Sequence, residues 1–593
     1  MMFLGLSLYA WITVATIASV IIVMIRTRIP VEITFLGALT VLLVTGVVSE
    51  EEGMEGFASE PVMVHAAFFV VIAGLIHTGA IYWLTQHVFG NPKNYRHAIY
   101  RVMVPVSILS ALLNGINVVA MTIDAVKIWA RRLSISPSKL LVPLSCAATM
   151  GGICTLMGST SNLVIAGLYA EKTGRLLGVF EPLLPGVVLT AIATFLVVAL
   201  RRLIPNRESP EISFETTSDY TVELLVPTDN PAVGMTVAEA GLKNVKGGSL
   251  IEIVRFDKEI IMPVGDDEFI LGGDRLVFAG QISDILELKR TNGLVAADHH
   301  VYSIDEIDNN RKLRTAYVTF GSDLIGTSMS TNHFERDTDM VLVAVARGGK
   351  RVDGQPREIR LQAGDSLLLE CPPKSDDQLE KAGRRNLAFF DSHFVPQTGP
   401  RTITAGAILV LMFVLSSFNI RPLWVSTMLA AALMMATKCC RMRSLTKYIE
   451  WDLLLILGTT VVFSTAVTKT GVAATLATHM LRICGQNPHV VLAAMCLLAL
   501  ITSELVGRVG TSAIFFPIAW HEAATLGCNP MTFIMGLMLT VNLSLVTPMG
   551  STTNMLIFGP GGFRFGDFAR LGICLQVVLF ITTFVIVNIL YPM

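Results

Sequence analysis

Charged residues are scarce in this chain of 593 residues. Only 15% of the residues are Asp, Glu, Lys or Arg, whereas 52% are hydrophobic, and the mean hydropathy is +0.61. A soluble protein would carry about 25% charged residues. The formal net charge of −1 leaves no basic field, which argues against a nucleic-acid partner. The composition therefore favours a membrane protein, with the lipid bilayer as its first partner.

Motifs for catalysis and for metal binding are also missing. The nine cysteines are scattered, mostly through apolar runs, and show no metal-ligand spacing. The sequence has no catalytic triad, no phosphate loop and no Gly-x-Gly-x-x-Gly after a strand. We therefore expect no enzyme, no cofactor and no structural metal site.

The few charges are concentrated in the middle of the chain, between about Pro205 and Gly399. Two apolar halves flank this hydrophilic insert. The predicted domains are a first membrane repeat over 1–204, two small domains over 205–297 and 298–390, and a second membrane repeat over 391–593. Several apolar runs are too short or too broken for simple spans, which favours hairpins that enter and leave on one side.

One octapeptide occurs twice with few changes, each time inside an apolar run. Thr155-Leu-Met-Gly-Ser-Thr-Ser-Asn162 is repeated as Thr547-Pro-Met-Gly-Ser-Thr-Thr-Asn554, at an offset of 392 residues. A glycine followed by hydroxyls and an amide lets a helix unwind at bilayer depth, so that oxygens face a bound ion or substrate. Paired breaks of this kind indicate the binding site of a secondary transporter.

Lys and Arg near the apolar runs predict the orientation, because these residues favour the cytoplasm. Arg26 and Arg28 follow the first run, which places the N-terminus outside. Arg201, Arg202 and Arg207 precede the insert, which places the insert in the cytoplasm. The uncharged Ile589–Met593 is expected outside, so each half crosses an odd number of times and the two halves run in opposite directions as inverted repeats.

Six segments of the two halves together match a family pattern. They are Ala111–Met121, Ile135–Ser145 and Gly151–Asn162 in the first half, and Phe516–Ala519, Thr547–Asn554 and Phe558–Phe565 in the second. With these segments the chain resembles the divalent anion/sodium symporter (DASS) family of the ion transporter superfamily. The resemblance implies a homodimer in the cytoplasmic membrane, built as a polytopic α-helical protein with two inverted repeats. It also implies an elevator mechanism and re-entrant hairpin tips that bind the solute and Na+.

The two hairpin tips depart from the Ser-Asn-Thr pattern of that family. The first tip falls on Asn114, Gly115 and Ile116, with Asn117 close by, and the second falls on Gly507, Arg508 and Val509. A guanidinium at mid-membrane is costly unless it meets an anion or a carboxylate. Arg508 therefore either touches the anion, replaces a bound cation, or forms a structural ion pair with Glu504 one helical turn away.

The predicted site combines the tips with the octapeptides, because neutral oxygens bind Na+ weakly and also donate to oxyanions. The candidate residues for binding substrate and ion are Asn114, Gly115, Asn117, Thr155, Gly158, Ser159, Thr160, Asn162, Gly507, Arg508, Thr547, Gly550, Ser551, Thr552 and Asn554. Close helix packing through small residues is the alternative explanation. It does not account for the matched spacing from glycine to asparagine.

The insert contains its own repeat of roughly 90 residues. Ile270-Leu-Gly-Gly-Asp-Arg-Leu-Val-Phe278 matches Leu361-Gln-Ala-Gly-Asp-Ser-Leu-Leu-Leu369, and alternating strands before Gly-Asp turns predict one small α+β module used twice. Each copy resembles the RCK C-terminal (TrkA-C) domain. The resemblance implies dimer stabilisation or regulation by a small cytoplasmic ligand, and an inert remnant is the third alternative.

These observations predict a secondary transporter of a small divalent anion, coupled to Na+ or H+. The resemblance favours a sulfate-like oxyanion, followed by a C4-dicarboxylate. An anion channel and a transporter-derived membrane sensor are the alternatives. A channel needs a continuous polar path, whereas the polar residues here are clustered.

Overall fold

The computed structural model is dominated by helices in both membrane halves. It describes the following residues, together with a few single positions such as Gly90 and Phe334: 7–26, 31–80, 94–207, 221–245, 248–255, 259–262, 264–280, 293–296, 312–319, 322–328, 340–348, 350–352, 356–371, 386–389, 399–418, 420–440 and 449–593. The predicted domain boundaries at 297/298 and 390/391 lie outside these residues.

The first half contributes nine described helices. They are α1 (Leu8–Arg26), α2 (Val31–Val44), α3 (Glu50–Phe57), α4 (Glu60–His77), α5 (Tyr95–Leu112), α6 (Gly115–Arg132), α7 (Ser138–Gly152), α8 (Thr160–Thr173) and α9 (Leu183–Ala199).

The second half also contributes nine described helices. They are α10 (Pro400–Ser417), α11 (Leu423–Ala436), α12 (Trp451–Lys469), α13 (Val472–Cys484), α14 (Pro488–Val506), α15 (Arg508–Leu526), α16 (Pro530–Val541), α17 (Thr552–Phe558) and α18 (Phe565–Leu590). Among the described residues, four stretches are long and apolar enough to cross a membrane: Glu50–His77, Trp451–Lys469, Pro488–Val506 and Phe565–Leu590.

The offset of 392 residues relates far more than the octapeptides. It joins the starts of α1 and α10, of α2 and α11, of α7 and α16, and of α8 and α17, and also the ends of α4 and α12. Helices that begin and end at equivalent positions need equivalent capping and packing, which one duplicated sequence provides. These helix boundaries of the two halves thus coincide at one constant offset.

The insert forms two antiparallel sheets. The first consists of β1 (Thr221–Leu225), β2 (Asn244–Val245), β3 (Gly248–Arg255), β4 (Glu259–Ile261), β5 (Arg275–Gly280) and β6 (Val295–Ala296). The second consists of β7 (Lys312–Val318), β8 (Val341–Arg347), β9 (Lys350–Arg351), β10 (Ser366–Cys371) and β11 (Leu387–Phe389). We call these the first and second β modules.

The two β modules share one strand order. β6, β1, β5, β3 and β4 are neighbours in the first module, and β11, β7, β10, β8 and β9 are neighbours in the second. In both, an arginine at the end of a strand donates to the buried aspartate of the Gly-Asp turn. Nε of Arg255 donates to Oδ1 of Asp274 at 3.1 Å, and Nε of Arg347 donates to Oδ1 of Asp365 at 2.7 Å. The hydrogen bonds to Asp274 raise the pKa of the Arg255 guanidinium above its usual value.

The modules pack against each other and are tied to the membrane helices. Ile251 and Val277 of the first module share a buried apolar cluster with Val343 and Leu368 of the second. At the start of the insert, the backbone N–H of Arg207 donates to the Ser138 hydroxyl at 2.9 Å. The Arg207 side chain forms a two-point ion pair with Asp567 of α18, at 2.9 and 2.8 Å.

Candidate functional site

The first five residues of each octapeptide form an unwound loop between two helices, as the sequence predicts, and its last three residues begin the second of these helices. The first loop lies between α7 and α8, and the second between α16 and α17. In the first loop, Nδ2 of Asn162 donates to the carbonyl oxygen of Thr155 at 2.9 Å and to that of Ile153 at 3.5 Å. Asn554 makes the equivalent bonds to Thr547 and Leu545, at 3.4 and 3.5 Å. Each asparagine therefore holds its own loop in shape.

The threonine that begins each octapeptide also makes equivalent hydrogen bonds in the two halves. The Thr155 Oγ1 accepts from the N–H of Gly158 at 3.1 Å, and the Thr547 Oγ1 accepts from Gly550 at 2.8 Å. Ser159 and Ser551 precede their helices in extended backbone conformation, and neither side chain caps its helix. The amides that begin α8 therefore receive no cap from the residue before it.

The first hairpin tip lies between α5 and α6 and contacts the first octapeptide. Asn114 donates to the Thr160 hydroxyl at 3.2 Å, and the N–H of Gly115 donates to the carbonyl oxygen of Gly158 at 3.4 Å. A Cβ on Gly115 would lie 2.9 Å from the carbonyl oxygen of Ala148, so only glycine fits. Asn117 is half-buried, and its side chain has no hydrogen bond to any residue that the structure describes.

The second tip is the single residue Gly507, which separates α14 from α15 with a φ of +88°. Left-handed backbone of this kind favours glycine. Arg508 follows at once. Its Nε donates to the Ser544 hydroxyl at 3.0 Å, and its Nη2 donates to the Ser544 carbonyl at 3.2 Å. Its Nη1 donates to none of the described residues, so one edge of the guanidinium stays available.

The ion pair with Glu504, the structural alternative for Arg508, does not form among the described residues. The Glu504 carboxylate instead accepts from the Thr547 hydroxyl at 2.7 Å, from the Thr547 N–H at 3.2 Å and from Nε2 of Gln576 at 3.0 Å. Because these donors satisfy Glu504, the carboxylate fixes the second loop and leaves Arg508 without a direct carboxylate partner among the described residues.

Residues missed by the sequence analysis connect the two halves. Asn542 of the second half accepts from the hydroxyls of Ser159 and Ser161 at 2.6 and 3.0 Å and donates to Oδ1 of Asn162 at 2.8 Å. The sequence signal was a short set of polar residues, Thr540, Asn542 and Ser544, just before the second octapeptide.

The reciprocal bridge runs from α7 of the first half to the second octapeptide. The Ser145 hydroxyl donates to Oδ1 of Asn554 at 2.6 Å, and Oγ1 of Thr149 lies 2.9 Å from that of Thr553 and 3.5 Å from the Ser551 hydroxyl. Each octapeptide thus touches the opposite half, while no hydrogen bond joins the two octapeptides among the described residues.

The two loops differ in exposure. Thr155, Asn162 and Ser551 are almost completely buried. Thr552 is exposed, although its counterpart Thr160 is buried. The second loop therefore presents more of its polar surface to open space than the first.

A cavity of about 570 Å³ lies at the far ends of α8 and α15, the helices that begin at the first octapeptide and at the second tip. Lys172, His521 and Lys469 line it, together with Glu52 and three hydroxyl side chains of α12. Lys469 also contacts Glu52 at 3.0 Å. On the α8 side the lining includes Glu171 and Lys172, whereas on the α15 side His521 stands among the apolar residues Phe516, Pro517 and Trp520.

Comparison with known proteins decides the family. The sequence profile described as "CitMHS: Citrate transporter" matches residues 20–479 and again 408–593. The chain belongs to this citrate transporter family. Its members are membrane transporters and not enzymes, so the prediction of a non-enzymatic transporter is confirmed at that level.

Curated relatives of this citrate transporter family member agree. An uncharacterized transporter of Synechocystis is 27% identical, over 98% of this chain and 97% of its own. The "Putative sulfur deprivation response regulator" of Chlamydomonas reinhardtii is 27% identical, over 94% and 98%. "Sodium/sulfate cotransporter 1" of the same alga is 26% identical, over 56% of this chain and 40% of its own. The resemblance to sodium-coupled anion transporters is thereby confirmed in part, whereas the RCK C-terminal resemblance stays a prediction.

Proposed function

We propose that the chain is a secondary active transporter of a small divalent anion across the cytoplasmic membrane. A sulfate-like oxyanion is the favoured solute, and a C4-dicarboxylate is the second. The names of the relatives support this choice, since three are sodium/sulfate cotransporters and one is a Na+/citrate cotransporter. Coupling to Na+ or H+ is part of the proposal.

The observation that carries the proposal is the state of Arg508. Ser544 holds two of its nitrogens, and Nη1 has no protein acceptor among the described residues. A guanidinium at a helix break is costly without a carboxylate partner, and a bound anion would provide the missing partner. The fork of Nη1 and Nη2 suits the paired oxygens of sulfate or a carboxylate.

The N-terminus of α15 adds to the positive electrostatic potential around Arg508. Gly507 offers no side chain to cap the helix, so the first N–H groups of a 19-residue helix lie beside Arg508. Such amides and the positive end of the helix dipole stabilise an anion. The cavity of about 570 Å³ at the other end of α15, which Lys172, Lys469 and His521 help to line, is the proposed access route to this site.

The coupling cation is assigned to the oxygens of the tips and octapeptides. Asn117 supplies an amide oxygen without a protein partner among the described residues, and Thr552 supplies an exposed hydroxyl. Neutral oxygens of this type hold Na+ weakly enough for release. Alternatively, Arg508 replaces one cation with its own charge. The inverted arrangement of the halves, elevator movement, a homodimer and a regulatory ligand on the β modules complete the proposal.

Thermal stabilisation of the purified protein tests the proposal. Sulfate, thiosulfate and succinate are compared, each with and without sodium. We expect stabilisation by sulfate in the wild type, its loss in Arg508→Ala and partial retention in Arg508→Lys. Arg482→Ala, at an exposed position near the end of α13, is the matched control. Indifference of the wild type to all three anions, or wild-type affinity in Arg508→Ala, contradicts the proposal.

A membrane sensor is the second candidate function. It is favoured by the relative named a putative sulfur deprivation response regulator, which matches nearly the whole chain. A sensor would bind the anion without moving it. Binding combined with the absence of uptake into proteoliposomes would select this alternative.

A further inference from the structure

The second β module interlocks with the segment that follows α17. Gly364, in the Gly-Asp turn before β10, lies against the ring of Phe558, and a Cβ at position 364 would overlap that ring. In return, a Cβ on Gly559 would lie 2.7 Å from Cδ1 of Tyr317, on β7. Two glycines, one on each side, thus allow two aromatic rings to fit closely. Larger residues at either position would push the module away from the helix.

This contact is specific to the second module. Gly273 occupies the equivalent turn of the first module, and its φ of +92° is close to the +83° of Gly364. A Cβ on Gly273 would meet nothing within 4 Å. The turn itself therefore does not require a neighbour, and the approach to Phe558 is an added feature of the second copy.

Phe558 connects this contact to the candidate site. It is the last residue of α17, a helix of only seven residues that begins directly after Ser551. At 1.5 Å per residue, the helix spans about 10 Å. Phe558 also stacks on Phe568 of α18, with ring centroids 6.1 Å apart. One end of α17 thus lies in the second octapeptide and the other against the β module.

We propose that Gly364 and Tyr317 are positioning residues for the solute site. The second β module sets the position of α17, and α17 sets the positions of Ser551 and Thr552. Solute affinity then depends on a contact made in the insert, outside the membrane helices. This inference rests on the proposed function, because it assumes that the second octapeptide binds the solute.

The test compares Gly364→Ala with Gly273→Ala in the full-length protein. Both substitutions place alanine at positive φ, so the backbone strain is matched, and only the first meets a ring. We expect Gly364→Ala to raise the KM for sulfate uptake at least about fivefold, the lower end of site-to-site coupling. We expect the turnover number of Gly364→Ala to stay near that of the wild type. For Gly273→Ala we expect both the KM and the turnover number to stay near the wild-type values. A lower melting temperature with unchanged KM overturns the inference.

Hydrogen exchange without any anion gives an independent readout. We expect faster exchange over 551–558 in Gly364→Ala but not in Gly273→Ala, and equal exchange in both overturns the inference. This result stands even if the wild type transports no anion, in which case only the proposed function fails. If Gly364→Ala does not accumulate, Phe558→Leu reduces the same contact from the membrane side. The KM for sulfate uptake and hydrogen exchange over 551–558 are then measured in Phe558→Leu, and we expect both to increase.

Discussion

The amide of Asn542 joins the two halves of the molecule, because its Nδ2 donates to Oδ1 of Asn162 at 2.8 Å while its own Oδ1 accepts from Ser159. All three residues are buried. Asn542→Ala leaves their polar atoms without partners, so we expect the free energy of unfolding to fall by about 3 kcal/mol. Denaturation of the purified protein measures this change. Asn588→Ala, at a half-buried position near the end of α18, serves as the control, and an equal loss in both variants contradicts the bridging role.

Glu504 fixes the second octapeptide through contacts that a neutral amide reproduces only in part. Glu504→Gln keeps the size of the side chain but replaces one acceptor oxygen with a donor. We expect a loss of about 1–3 kcal/mol in stability and a weaker response to sulfate. The exposed Glu181→Gln is the control. A double-mutant cycle with Arg508→Gln tests whether Glu504 acts on the loop or on Arg508. A strong coupling energy between the two positions would contradict the structure, because it would indicate an ion pair between them.

Gly158 is packed against backbone on two sides. A Cβ at this position would lie 2.6 Å from the carbonyl oxygen of Ser110 and 2.7 Å from Cα of Gly152. Backbone atoms cannot move aside as a flexible side chain can, so Gly158→Ala is expected to cost about 1–3 kcal/mol. Gly406→Ala, in α10 with nothing within 4 Å, should be neutral or stabilising. Melting temperatures of the two variants test the contrast, and a harmless Gly158→Ala rejects it.

The ion pair between Arg207 and Asp567 anchors the insert to α18. Asp567 is buried, so Arg207→Ala leaves a carboxylate without its main partner. We expect a loss of about 3 kcal/mol, typical of breaking a buried pair. The exposed Arg202→Ala changes the same charge without this contact and is the control. Chemical denaturation distinguishes them, and equal stabilities would show that the pair contributes nothing.

Much of this arrangement could be predicted because it is repeated in the sequence. The octapeptides, the helix breaks at Asn114 and Gly507, and the Gly-Asp turns each occur twice in the chain. Repetition shows which residues are constrained by the backbone. It also predicted the helix breaks in the correct places, although each asparagine of the octapeptides proves to hold its own loop rather than only to face a solute.

The remaining contacts could not be predicted because each joins residues that are distant in sequence. Asn542 contacts Asn162 across 380 positions, and Gln576 reaches Glu504 from another helix. Gly364 was visible as part of a turn, but its contact with Phe558 depends on how the second module packs on the membrane half. The alternative of an ion pair with Glu504 rested on closeness in sequence, whereas Ser544, which accepts the hydrogen bond from Arg508, lies 36 residues away.

Uptake of labelled sulfate into proteoliposomes under an inward sodium gradient tests the central claim most directly. The account predicts saturable uptake by the wild type, loss of that uptake in Arg508→Ala, and wild-type uptake in Arg482→Ala. Uptake no greater than in protein-free vesicles, or equal uptake by Arg508→Ala and the wild type, would contradict it.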